Sequence, residues 1–277
     1  MAGKVYIVGA GPGAADLLTL RAAALLRAAT IVLHDDLVPP EILELCPASA
    51  QIVNVGKRCG RHGRSQEQIN ALMVWHARET ETHAIVRLKS GDPAVFGRLG
   101  EELDALRQAG VEFEIVPGVT AASAAAASAK ITLTDRRAAS ALVVVTAHNC
   151  RNAPLSEAVV EPTRSTYALY MPGPDYSKTV QGLLESGHEP VTPCAVVSNA
   201  GRVNEEVRYL TLGELASMKG IPAPAMLIVG EVARRHLPRR NEDALCEISS
   251  KARDHYRRDE VPAHVPFLES EPYLEIP

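Results

Sequence analysis

Val5-Tyr6-Ile7-Val8-Gly9-Ala10-Gly11-Pro12-Gly13 is the stretch on which the fold turns. An apolar run this short, greasy on both faces and closed by glycines, predicts a buried strand of an α/β sheet. Thr19 then stands as the N-cap of a helix through Leu20, Leu25 and Leu26 to about Ala28. A second strand over 30–33 ends in His34-Asp35-Asp36. The alternation continues with a strand over 51–55, a helix over 65–79 and a strand over 84–88. A helix over 98–109, closed by Gly110 as a C-cap residue, leads into a strand over 112–116. Such alternation predicts a mostly parallel sheet with helices on its faces.

Pro117-Gly118 divides the chain. Beyond it an Ala-rich stretch over 120–129 reads as a helix capped by Thr120, and strands are expected over 142–146, 166–171, 194–198, 207–210 and 225–229, with a helix over 177–185. At 277 residues the chain suits two domains of ordinary size. The expected architecture is therefore α/β, with two α/β domains over 1–117 and 118–237, both with mostly parallel sheets. A charged, Pro-punctuated extension over 238–277 reads as an appended helix plus an extended tail.

Composition narrows the function classes. Aromatic residues make up only 4% of the chain, so the cores must be built from Ala, Val, Leu and Ile. A net charge of −4 gives no electrostatic case for nucleic acid, although a pocket for an acidic small molecule needs only local positive charge. Cys46, Cys59, Cys150, Cys194 and Cys246 are scattered, without the short spacings of a zinc site or redox dithiol, so reduced thiols and no metal are expected. No signal-peptide segment follows Met1, and no apolar run approaches the ~20 residues of a membrane helix. A cytoplasmic protein is expected.

Gly9-x-Gly11-x-x-Ala14 also satisfies the dinucleotide fingerprint, with Asp35 where a ribose-binding acid is expected. That reading, a nicotinamide-dependent oxidoreductase, needs a helix N-terminus directly behind the glycines, aimed at a pyrophosphate. Here Pro12 lacks an N–H and Asp16 places negative charge where phosphate would lie. A strand-to-loop turn without a ligand is the plain structural alternative.

A third reading fits more of the chain. Val8 to Gly13 followed by Asp16-Leu17-Leu18-Thr19-Leu20 resembles the opening motif of the tetrapyrrole methylases. The resemblance runs over roughly residues 4–235, through Gly56-Lys57-Arg58, Gln66-Glu67-Gln68-Ile69-Asn70, Val86-Arg87-Leu88-Lys89-Ser90-Gly91-Asp92-Pro93, Phe96-Gly97-Arg98, Glu101-Glu102 and Val116-Pro117-Gly118-Val119-Thr120-Ala121. It continues with Leu133-Thr134, Val145-Thr146 and His148, Tyr170-Met171, Thr192-Pro193 and Val229-Gly230-Glu231-Val232. Within the family the chain resembles the uroporphyrinogen III C-methyltransferases, with the stretch over 56–70 as the substrate-specific part.

The resemblance implies a fold in which S-adenosylmethionine lies in a cleft between two α/β domains, leaving as S-adenosylhomocysteine. It implies cofactor contacts at Pro12, Ser90, Gly91, Asp92, Val95, Thr120, Ala121, Met171 and Ala200. Asp35 and Lys57 occupy the family's proton acceptor and donor positions, though Lys57 serves equally well as a fixed cation for a substrate carboxylate. The implied substrate carries eight carboxylates, which Arg58, Arg61, His62 and Arg64 would meet on a Gly-punctuated loop; a solvated surface loop is the alternative for that cluster. The implied reaction is methylation of uroporphyrinogen III at C2 and C7 to precorrin-2, for sirohaem or cobalamin synthesis, by a homodimer.

Departures from the family pattern keep a sister methylase acting on another tetrapyrrole in play. Ser90 replaces a glycine, Asp135 stands where a His is usual, and Ala147 replaces a Gly. Pro172-Gly173-Pro174 makes a stiffer turn, Asn199-Ala200-Gly201 differs from an Asn-Gly-Thr pattern, and Asn204-Glu205-Glu206 replaces a glutamine-containing segment.

Overall fold

The structure is a computed structural model that describes residues 3–56, 64–79, 84–147, 162–173, 175–218 and 221–237. In it strand β1 (Lys4–Gly9) buries Val5 and Ile7 on one face and Val8 on the other, which is what a two-sided apolar run requires. Chain order then gives α1 (Leu20–Ala28), β2 (Ile31–His34), α2 (Pro40–Leu43), β3 (Gln51–Asn54), α3 (Gln66–Glu79), β4 (Ala84–Lys89), α4 (Leu99–Gln108) and β5 (Phe113–Val116). The strands form one sheet in the order β3-β2-β4-β1-β5, and every pairing is parallel. One face packs Val5, Ile7 and Ile85 against Met73 of α3 and Leu106 of α4. The other packs Val8, Val32 and Val86 against Leu26 of α1 and Ile42. Thr19 caps α1 as expected, accepting from Ala22 N at 3.1 Å.

The second half comprises α5 (Ala121–Ser128), β6 (Ala141–Thr146), β7 (Ser165–Tyr170), α6 (Tyr176–Glu185), β8 (Pro193–Ser198), β9 (Glu206–Thr211), α7 (Leu212–Ala216) and β10 (Ala225–Val229). Its sheet runs β6-β7-β10-β8-β9. α5 covers one face with Ala122, Ala125 and Ala126, small side chains that let the helix lie close, while Val180 and Leu183 of α6 and Leu212 and Leu215 of α7 cover the other.

Two expectations are corrected here. Only β6 and β7 are parallel in this sheet; β7–β10, β10–β8 and β8–β9 are antiparallel. For β8–β9 the cause is the connection over 199–205, too short for the crossover of about a dozen residues that parallel neighbours need. Nor does the Thr120 side chain cap α5. Its hydroxyl bonds the phenol of Tyr170, and that phenol accepts from Ala122 N at 3.1 Å, serving the helix start from the neighbouring strand.

Met1–Leu237 forms one compact unit, and Pro238–Pro277, where the extension was read, lies outside the described residues. No helix among the described residues is long and apolar enough to cross a membrane. Cys46 and Cys194 are free thiols, the second buried.

Candidate active site

The carboxyl ends of β1 and β4 are held together by glycine. A Cβ on Gly9 would stand 2.6 Å from Gly118 N and 2.7 Å from Gly91 O, and one on Gly118 would stand 2.4 Å from Gly91 O. Gly91 N donates to Gly11 O at 2.7 Å, and Gly91 takes a left-handed φ of 68°. Three turns therefore meet backbone to backbone. The open side of Gly91 faces the start of α5, where a Cβ would meet only Ala121 N, at 3.9 Å.

This meeting point gathers the positions assigned to the cofactor. Pro12 follows Gly11, and Gly201, directly after Ala200, packs so that a Cβ on it would lie 3.4 Å from Pro12 Cγ. Val95, Ala121 and Ala200 share one apolar cluster, which brings the turn after β4 onto α5 and the second sheet. Thr120 bonds Tyr170, and Met171 follows with a φ of 51°, leaving its side chain exposed. Phe96 packs its ring on Tyr170 at 5.0 Å between centroids. Asp92 has a more structural place than a contact with an ammonium group alone, since its oxygens accept from Ala94 N at 2.8 Å and Gly118 N at 2.9 Å. Ser90 is not among the residues of positive φ, so its Cβ causes no backbone strain; its hydroxyl is buried without a partner among the described residues.

Asp35 stands beside this crevice at the end of β2, joined to a buried charge network. Arg87 Nη2 donates to Asp35 Oδ1 at 2.6 Å, and Arg87 Nε donates to Glu102 Oε1 at 2.9 Å. Lys89 Nζ donates to the same Glu102 oxygen at 2.9 Å. Arg87, Lys89 and Glu102 are buried, whereas the Asp35 side chain is 29% exposed. Burial opposes the charge on Arg87, but Asp35 and Glu102 outweigh it and hold the guanidinium pKa above its ordinary value. Lys89 is pushed the other way, because burial and the neighbouring Arg87 outweigh Glu102. Two acids and two bases balance, which is how a charged cluster survives inside an apolar sheet.

Lys57, Arg58, Arg61 and His62 lie outside the described residues, and Arg64 is exposed just ahead of α3. The approach to Lys57 is nonetheless defined. Asn54 Nδ2 donates to Asp36 Oδ1 at 3.2 Å, Asn54 Oδ1 accepts from Gly56 N at 2.8 Å, and a Cβ on Gly56 would stand 2.1 Å from Asp36 N. The backbone preceding Lys57 is thus pressed against the residue that follows Asp35. Arg98 pairs with Glu101. Asp135 is engaged by Arg137 in a two-oxygen pair, which holds its carboxyl far below the usual range.

Sequence reasoning did not find Lys89 and Glu102. The available signal was two bases at i and i+2 on one buried strand face, which require an acid opposite.

An all-parallel sheet whose strand ends carry the site, closed by a second α/β half, defines a protein that binds a small molecule in the crevice at those ends. The profile of the tetrapyrrole (corrin/porphyrin) methylases matches residues 4–216, and the chain belongs to that family. It is 43% identical to the uroporphyrinogen-III C-methyltransferase of Pseudomonas aeruginosa over 237 residues, 84% of this chain and 96% of that protein. It is 44% identical to siroheme synthase 1 of Cronobacter sakazakii over 84% of this chain and 50% of the relative, so it spans about half the length of that synthase. Among solved structures, the uroporphyrin-III C-methyl transferase from Thermus thermophilus complexed with S-adenyl homocysteine superposes with a TM-score of 0.73 at 37% identity, covering 84% of this chain and 100% of that one.

Proposed function

We propose that the chain is an S-adenosylmethionine-dependent C-methyltransferase that converts uroporphyrinogen III to precorrin-2 by methylation at C2 and C7, releasing S-adenosylhomocysteine. The observation that carries this reading is the convergence of Pro12, Gly91, Ala121, Thr120, Met171 and Ala200 on one crevice in a fold whose Thermus relative was solved with S-adenyl homocysteine. The crevice suits such a ligand. Gly91 exposes bare backbone toward Ala121, and the buried Ser90 hydroxyl has no partner among the described residues and so has hydrogen-bonding capacity to spare. Family membership leaves the oxidoreductase reading without support.

The cofactor brings an activated sulfonium methyl, so the protein's task is chiefly alignment. Arg87 fixes Asp35 through Oδ1, while Oδ2 has, among the described residues, a long contact from Ser90 N at 3.4 Å. In this reading that second oxygen accepts a pyrrole N–H and offsets positive charge on the attacked ring. Asp36, Asn54 and Gly56 set the start of the 57–64 segment, from which Lys57 acts as donor or cation and Arg58, Arg61, His62 and Arg64 meet carboxylates. The same reading covers the division into domains at Pro117-Gly118, a cytoplasmic setting and a homodimer, the last checked by light scattering.

Anaerobic incubation with uroporphyrinogen III and S-adenosylmethionine, read by mass spectrometry, is expected to show a doubly methylated product. Enzyme that binds S-adenosylhomocysteine and yet leaves this substrate unmethylated belongs to a sister reaction on another tetrapyrrole.

A further inference from the structure

Arg202 lies on the link between β8 and β9, in the second half of the chain, yet its guanidinium bonds the first half. Nη2 donates to Leu37 O at 2.7 Å, and Nε reaches Pro12 O at a longer 3.4 Å. Those carbonyls follow β2 and β1, strands separated by β4, whose own following turn carries Ser90 and Gly91. The guanidinium thus joins the loops that follow β1 and β2, on the side of the sheet where the strands' carboxyl ends carry the site. Its path exists because residue 13 is glycine: a Cβ there would stand 2.6 Å from Arg202 Cγ and 2.7 Å from Nε. The link is braced from behind, with Gly201 N donating to Glu205 Oε2 at 2.8 Å and Ser128 Oγ donating to the same oxygen at 2.5 Å.

This arrangement orients a cation without neutralising it. Two carbonyls use part of a guanidinium that has five N–H donors. Among the described residues no carboxylate forms an ion pair with Arg202, and burial lowers its pKa while Glu41 acts only as a weaker counterweight. A partly desolvated guanidinium held at a ligand crevice, with donors free, is matched by a carboxylate, which it can take through two parallel hydrogen bonds.

We propose that Arg202 determines substrate specificity by anchoring one carboxylate of the tetrapyrrole at the mouth of the crevice. The proposal rests on the reading of the substrate as a polycarboxylate tetrapyrrole. It adds a cation from the second half of the chain to those that the proposed function assigns to residues 57–64 of the first.

The test titrates wild type, Arg202→Lys and Arg202→Met with uroporphyrin III in the presence of S-adenosylhomocysteine, followed by porphyrin fluorescence, with calorimetry for S-adenosylhomocysteine alone. Loss of a charge-assisted pair predicts porphyrin binding about tenfold weaker or more in Arg202→Met. Arg202→Lys should fall between, and the S-adenosylhomocysteine Kd should change far less. Equal porphyrin affinity in wild type and Arg202→Met overturns the proposal. So does an equal loss of both ligands, which would make Arg202 a brace for the Pro12 turn only. If the porphyrin gap persists while wild type fails to methylate uroporphyrinogen III, the anchor stands and the proposed reaction falls.

Discussion

Glu102 holds two cations with a single oxygen while its other oxygen is buried without a partner among the described residues. Glu101 and Glu102 are neighbours on α4, and only the second meets the buried cations of β4. One step along a helix turns a side chain by about 100°, enough to move it from solvent to core. Glu102 therefore shares the inward face of α4 with Leu103 and Leu106, and Glu101 pairs outward with Arg98. Asp35, Gly91 and Ala121 were legible because each stands in a short ordered motif; Lys89 and Glu102 were not, because their roles exist only once β4 and α4 pack. Glu102→Gln leaves Arg87 and Lys89 with only Asp35, an uncompensated buried charge. Urea unfolding is expected to show a loss of ~3–5 kcal/mol. The charge-balanced double variant Lys89→Met/Glu102→Gln, which keeps the Arg87–Asp35 pair, should recover a substantial part of it. A double variant less stable than Glu102→Gln would show that charge balance is not what holds the cluster.

At the scale of elements, the first sheet followed directly from alternation, because each crossover helix enforces parallel strands. The second sheet did not, since periodicity finds strands but carries no information on their direction. Direction lay in connection length, and the short link over 199–205 makes β8 and β9 a hairpin. β8 is buried along its whole length, and Cys194 on it makes this element sensitive to alkali. Burial, with Glu214 adding to it, pushes the Cys194 thiol from its ordinary 9.0 up to about 12. Between those pH values the unfolded chain holds fewer protons than the folded one, so this contribution to stability is lost as pH rises above 9.0. The slope is about 1.4 kcal/mol per pH unit. Comparing urea unfolding at about pH 8 and about pH 10, wild type should lose ~1.4 kcal/mol more than Cys194→Ala. Parallel pH profiles for the two proteins would remove Cys194 as a cause.

At the scale of the molecule, the order of motifs along the chain identified the family, but it could not show how positions as distant as Pro12 and Ala200 meet. That depends on contacts made after folding: the backbone packing of Gly9, Gly91 and Gly118, the cluster of Val95, Ala121 and Ala200, and the ring contact of Phe96 with Tyr170. On the proposed site assignment a ligand touches both halves and binds only when both are folded. Its binding energy should therefore stabilise them together. At a concentration 100 times its Kd, S-adenosylhomocysteine adds ~2.7 kcal/mol to the folded state. For a unit of this size that corresponds to a rise in Tm of roughly 5–10 °C. Calorimetric scans should show one transition moving as a whole, with circular dichroism and the Trp75 fluorescence on α3 shifting in step. Two transitions, with only one responding to the ligand, would place the cofactor within a single half and break the link between the two sheets on which the proposed mechanism depends.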